Sequence, residues 1–544
     1  MGSTDEPNKT SHGYDSSSPS TPLLSKSFPS PSREEDQNES NEEQNHYLQI
    51  TFNYGPRRFQ DLPFMVLFIL FCLSTFAFGI FSVFHRNPNS SNVSSFAYDS
   101  NTTSCVKQSL SAPPLDYSIQ FFICDFFSNY ASSSHLLRNL IWTLVITLIL
   151  SVPFVLGLLW LLRHYTKQIV YVSLPFFLII PIFFNVYWFV ACTVSSNCRD
   201  AFPLPYRILL LVFLFLIIGV IVWIIVTNWH RIELTVRIIG IASEALARNL
   251  GLFGVLPCLT LGLLIYFVPI VVFLVFARLN GKIVPRVSKG SDEGYSCVWK
   301  QDSWVPAYYT LAILTMLWSA AVMVETKAYV TSGTIAQWYF SKDNSPPRRS
   351  LRNSLRNAFG PSFGTICFSG SLICVVRVVR AAVDSAKRED IPGIVNVILR
   401  CCVNALLSAV DFLNKFMINF AAITGEGYCS SAKMTYELLR RNLLSAVIVE
   451  TVSTRILAGI IFVLSAIYAI VVWAILNAAS NLGVDAYLVS VLAWALLIVV
   501  LGFFVHMLDN VIDTIYGSTD CIGLFLPSWA AIPSITGDPK KSGA

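Results

Sequence analysis

The chain has 544 residues, of which 54% are hydrophobic and only 13% charged, with a formal net charge of +5. A soluble domain carries roughly 25% charged residues, so the composition excludes an ordinary soluble protein and indicates an integral membrane one. Basic residues are scattered through short stretches rather than gathered in one patch, which excludes nucleic acid as a partner and leaves the lipid bilayer as the expected environment.

Residues 1–60 are rich in Ser, Pro, Asn and Glu and lack apolar periodicity. Such a segment cannot bury enough surface to fold alone, so it is read as a disordered cytosolic tail. No cleavable signal peptide is expected, because the first apolar run starts only near Leu62. Leu62–Phe84 is long enough to cross a hydrocarbon core of roughly 30 Å, giving a first transmembrane helix within residues 61–84. Residues 85–137 form a polar loop. Its sequons at Asn89, Asn92 and Asn101 are candidate glycosylation sites and point to an extracellular or lumenal face. Two further sequons, at Asn8 and Asn38, fall in the tail assigned to the cytosol.

A multi-helix domain then occupies residues 138–515. Its spans are read at Asn139–Leu162, Ile169–Val194, Ile208–Asn228, Leu250–Phe276, Trp304 to about Gly333, Phe359–Val383, Gly393–Ile423, Ile456–Ala478 and Ala486–Leu508. The basic turn Arg163–Lys167 and the arginines 348, 349, 352 and 356 mark the cytosolic side. Residues 278–301 carry five Lys/Arg on the outer side, against that rule, and parity forces the placement. Trp229–Asn249 reads as an amphipathic helix on the inner leaflet. Gly393–Ile423 holds Arg400, Asp411 and Lys415 and suits either a polar-lined span or a cytosolic helix; an even total favours the span. The reading is an all-α integral membrane protein of about ten transmembrane helices. Both termini are cytosolic, with residues 516–544 as a second cytosolic tail. A multi-pass protein of the cell membrane or an endomembrane is expected.

Among the cysteines, Cys105, Cys124, Cys192, Cys198 and Cys297 fall in or beside outer segments. One or two disulfides are expected there, with pairing left open. No Cys/His spacing suggests a metal site, and no cofactor is expected. Enzyme signatures are nearly absent. The one GxSxG match, Gly360–Gly364, opens an apolar span, whereas a nucleophile elbow needs a strand before it.

Charges within apolar runs are expensive and mark pathways or partners. Glu325 and Lys327 interrupt one run, and Glu450 and Arg455, which could pair, lie close to another. His506, Asp509 and Asp513, at i, i+3 and i+7, share a helical face and are candidates for a proton or charge relay. Trp142, Tyr187, Trp188, Trp318 and Trp494 sit inside apolar runs. Aromatic faces hold a quaternary ammonium at about 0.5–2 kcal/mol each. Trp142, Tyr187, Trp188, Trp318 and Glu325 are therefore the candidate substrate-binding residues.

Four blocks carry a resemblance. Trp318 followed by Gly333 and Trp338-Tyr339-Phe340 is similar to a W…AG…WYF block. Pro361–Leu372 (PSFGTICFSGSL) resembles a small-residue G-S-x-x-F-G-S block. Phe412–Asn442, with FLNK, TGEGYCSSAK and ELLRRN, resembles an FLN…G…SA-K…LL…N block, and Asp513-Thr514-Ile515 a terminal D-T-I. In this order the blocks resemble the choline transporter-like family and, within it, the plant and fungal "pH nine-sensitive" branch. The likeness covers roughly residues 140–525. It implies a choline transporter-like fold and transport of a small organic cation, choline or ethanolamine, with proton exchange in some members. The sequence departs from the pattern at Ser332, where the family has Ala, and at Ala321, where an acidic residue is common; Glu325 stands one helical turn further on. Phe416-Met417-Ile418 stands where the family has N-A-Y after FLN. Two readings follow: a non-enzymatic transporter of choline-like cations working by alternating access, or a non-transporting membrane protein that influences lipid composition or trafficking.

Overall fold

The computed structural model describes residues 52–88, 95–99, 102–107, 134–194, 198, 203–287, 295–341, 349–385, 393–479 and 485–521. Residues 1–51 and 522–544, the three loop sequons and Cys124 lie outside these; residues 52–60, read as part of the disordered tail, are instead bonded to the helices, and residues 516–521 continue the last helix. The helices are α1 (Leu62–Phe84), α2 (Ser134–Val194), α3 (Leu204–Thr227), α4 (Trp229–Arg248), α5 (Gly251–Arg278), α6 (Val305–Tyr339), α7 (Ser350–Ala358), α8 (Phe363–Ser385), α9 (Gly393–Thr424), α10 (Tyr428–Ala479) and α11 (Asp485–Cys521). Among the described residues, nine of them are long and apolar enough to cross a membrane. At about 1.5 Å per residue, the 61 residues of α2 are far longer than one span. Its helical backbone breaks at Tyr165, inside the basic turn that separates two apolar stretches. The structure is thus an all-α membrane fold, with two expected spans joined into one broken helix.

Gly393–Thr424 is one continuous helix, and its portion from Arg400 is apolar enough to span. The ninth span starts earlier than its apolar run, because α10 begins at Tyr428 and breaks only at Asn442. A correction concerns α4. It is amphipathic as expected, but Ile239, Ala242, Ala245 and Leu246 are fully buried. Its apolar stripe packs on α2, α10 and α11 rather than lying on a leaflet.

Helix α6 is the centre of the bundle, touching α1, α5, α7, α8, α9 and α11. Every residue from Tyr329 to Gln337 is buried. A helix buried all round must have neighbours on every side, and small residues allow this. A Cβ added at Gly370 would stand 2.8 Å from Val322 Cγ2 and 2.9 Å from Val322 N, so α8 approaches the α6 backbone directly. By contrast, α1 and α3 expose most of their apolar side chains, as lipid-facing helices do.

Two antiparallel hairpins, β1 (Phe96–Asp99) with β2 (Ser104–Lys107) and β3 (Gly281–Val287) with β4 (Tyr295–Gln301), sit where α1 and α5 end and α6 begins. The sequence reading had only polar loops there. A Cys105–Cys297 disulfide joins the hairpins, and a second disulfide ties Cys192, in the last turn of α2, to Cys198. The opposite end of the bundle carries residues 52–61, α7 and the turn between α9 and α10.

Replacing Gly370 by valine overfills the α6–α8 crossing, a change that destabilises by ~1–3 kcal/mol. Thermal unfolding in detergent should show a clear drop for Gly370→Val. No drop is expected for Gly254→Ala, where an added Cβ meets nothing within 4 Å.

Candidate functional site

Glu325 is buried, 7% exposed, on the central helix. Ser369 Oγ of α8 donates to its Oε2 at 2.9 Å, and the same oxygen stands 2.9 Å from Asn414 Oδ1 of α9. A hydroxyl has one proton and serves one acceptor at a time. Asn414 is meanwhile served by the Tyr428 hydroxyl of α10, which donates at 2.7 Å. The polar chain Glu325–Ser369–Asn414–Tyr428 thus draws one residue from each of four helices. Among the described residues no Lys, Arg or His nitrogen comes within 4.0 Å of Glu325. Arg377 and Asp411 act on it only from farther away.

Aromatic rings adjoin this chain. Phe368, next to Ser369, stacks on Phe64 of α1 at 3.9 Å and lies 4.5 Å from the Tyr428 ring. Trp318, two turns before Glu325 on α6, is buried, and its Nε1 donates to the Cys367 carbonyl at 3.1 Å. Phe68 and Phe71 pack edge-on against it at 5.2 and 5.4 Å. Two of the five candidate binding residues, Trp318 and Glu325, therefore share one helix beside a ring cluster. Trp142 and Tyr187 stand on α2, 62% and 63% exposed on the outer surface of the bundle, and Trp188 is half-buried on the same helix. Sequence reasoning missed Phe368, Ser369, Asn414 and Tyr428 as site residues, although each lies inside a block that carries the family likeness.

Lys327 points away from Glu325, as two residues on a helix must. Its Nζ donates to Thr260 Oγ1 at 3.1 Å and lies over the Phe503 ring. The departure at Ser332 also has a partner set. Its hydroxyl donates to Asn419 Oδ1 at 2.6 Å and accepts from Thr514 Oγ1 at 2.8 Å, tying α6 to α9 and α11.

A second polar cluster surrounds Lys415 of α9. Its Nζ lies 2.6 Å from Glu450 Oε1, 3.5 Å from Asp509 Oδ2 and 3.7 Å from Asp513 Oδ2. Thr454 Oγ1 donates to Asp509 Oδ1 at 3.0 Å. The expected pairing of Glu450 with Arg455 is therefore corrected: Glu450 pairs with Lys415, and Arg455 is exposed. Five residues apart on a helix is about 140° around the axis, so Arg455 leaves on another side. Asp509 and Asp513 are buried together, whereas His506 is exposed at the cluster's edge. Ser362, centre of the GxSxG match, follows helix α7 rather than a strand, and its buried Oγ accepts from Tyr329.

A family model described as plasma-membrane choline transporter matches residues 212–518, more than half of the chain. A CTL-like protein of Dictyostelium discoideum is 30% identical over 27% of this chain and 28% of its own length. Protein PNS1 of Gibberella zeae is 26% identical over 29% of this chain and 30% of its own. Choline transporter-like 2 of Anopheles gambiae is 28% identical over 29% of this chain and 20% of its own. The matches thus span less than a third of these relatives' length.

Removing the one ammonium from three carboxylates leaves buried charge uncompensated. Lys415→Met should destabilise by about 3 kcal/mol, measured by thermal unfolding in detergent, and adding Asp513→Asn should recover part of the loss. The matched model, the order of the blocks and the helical membrane fold agree: the chain belongs to the plasma-membrane choline transporter family.

Proposed function

We propose that this protein carries choline or a closely related quaternary ammonium across a membrane, with Glu325 balancing the substrate's charge. One observation carries the reading: a buried carboxylate on the central helix, with no adjacent basic partner among the described residues, set beside aromatic rings. A buried charge needs a counter-charge or a proton. A quaternary ammonium cannot donate a hydrogen bond, so ring faces and a carboxylate are the groups that recognise it. Family membership supports the same substrate class.

Transport works by alternating access in this reading, with the site opening in turn to the hairpin end and to the end bearing residues 52–61. The hairpin end faces outward. Its disulfides suit an oxidising compartment, as do the loop sequons. The opposite end carries Arg349, Arg352, Arg356, Arg440 and Arg441 and faces the cytosol, as the positive-inside rule has it. The plasma membrane is the proposed location and ethanolamine a second substrate. Proton exchange follows if Glu325 holds a proton when empty and releases it to admit the cation. Asp509 and Asp513, held by Lys415, are the second place where a proton could reside. The protein acts as a carrier, not as an enzyme.

Labelled choline uptake into proteoliposomes tests the reading. Losing one partner of a buried charge pair removes 2–5 kcal/mol or more, so Glu325→Gln should lower uptake at least tenfold and abolish its dependence on a proton gradient. Wild-type uptake no greater than that of empty vesicles would sink the substrate. Undiminished uptake by Glu325→Gln would sink the residue's role.

A further inference from the structure

We propose that residues 52–61 form a detachable strap that closes one mouth of the Glu325 site, with Asp61 and Arg57 as its latches. The inference rests on the site assigned under Proposed function. The segment has no helix or strand of its own, and Tyr54, Gly55, Pro56, Arg58 and Phe59 are exposed. It is held at a few points far away in the chain: the end of α9, the starts of α8 and α10, the turn before α8, and Tyr329 inside α6. Asn53 donates from its backbone to the Ile423 carbonyl and from Nδ2 to the Thr424 carbonyl, both at 3.1 Å. Arg57 donates to the Tyr329 hydroxyl and, at 2.8 Å, to the Ala422 carbonyl. Gln60 N donates to the Pro361 carbonyl at 3.1 Å. Asp61 Oδ2 accepts from Thr365 Oγ1 and from Tyr428 N, each at 2.8 Å.

The seat is bare where the strap lies. A Cβ at Gly364 would strike the backbone oxygens of Gln60 and Asp61. One at Gly425 would come within 3.1 Å of Arg57 Cδ, and one at Gly427 within 3.3 Å of Gln60 Oε1. Three glycines, from two blocks about sixty residues apart in sequence, lack side chains against the same ten residues. Behind the seat, Tyr428 is both the residue Asp61 holds by its backbone and the donor to Asn414 in the Glu325 chain. Ser369 lies one helical turn beyond Thr365 on α8. A seated strap therefore covers this end of the site and fixes Tyr428 within it. Polar contacts hold most of it; Phe52 is its one side chain buried in the apolar core, so leaving costs these bonds and the exposure of that ring.

The test keeps the strap seated. In the full chain in proteoliposomes, Asn53→Cys and Thr424→Cys are joined by a short bis-methanethiosulfonate, with each single-cysteine variant as control. Labelled choline uptake should fall at least tenfold on joining and return on reduction. A joined protein that carries choline at the unjoined rate would overturn the proposal, because a purely structural anchor loses nothing by being fixed. A second readout does not depend on choline. Ser369→Cys, followed by peptide mass mapping with a charged water-borne thiol reagent, should react at least tenfold faster when Gly364→Ala lifts the strap. Joining residues 53 and 424 should suppress the reaction. Equal rates in all three states would overturn the strap. Absence of choline uptake by the wild type would instead overturn the substrate reading and leave the labelling to decide the strap.

Discussion

A carboxylate within a bilayer-spanning helix is tolerable only where polar groups meet it. Glu325 is met by Ser369, and through it by Asn414 and Tyr428. Those three residues come from three other helices, so satisfying one oxygen fixes the mutual positions of α6, α8, α9 and α10. The close crossing at Gly370, one residue after Ser369, makes the contact possible, because a larger residue there would hold α8 away from α6. Packing and electrostatics thus act at the same place.

The Lys415 cluster repeats the theme on the other side of α9. Three carboxylates converge on one ammonium, drawn from α9, α10 and α11. The two polar centres share α9, through Asn414 and Lys415, which are adjacent in sequence. A shift of α9 therefore disturbs both. The Asn419–Ser332–Thr514 bonds add a third polar link through α9, joining it to α6 and α11.

Much of this was legible in the sequence, for physical reasons. A hydrocarbon core demands long apolar runs, so span positions emerge from length and hydropathy alone. A charge in such a run is conspicuous, which is why Glu325 stood out. Its partners did not, because Ser369, Asn414 and Tyr428 carry no charge and lie 44 to 103 residues away in sequence. Aromatic residues misled for the opposite reason. Trp142 and Trp318 read alike within apolar runs, yet one faces outward and the other is buried. The hairpins went unseen because their strands, four or seven residues long, lack a strong alternating pattern. The Glu450–Arg455 pairing followed nearness in sequence, where helical geometry puts the two on different sides.

The central claim is that a quaternary ammonium occupies the place beside Glu325. A cryo-electron microscopy map of the protein in lipid nanodiscs at saturating choline tests it most directly. The account predicts density for the ammonium against the Glu325 carboxylate, within about 6 Å of the Phe368 or Tyr428 ring face. Choline density elsewhere in the bundle, with Glu325 still bonded to Ser369, would contradict it.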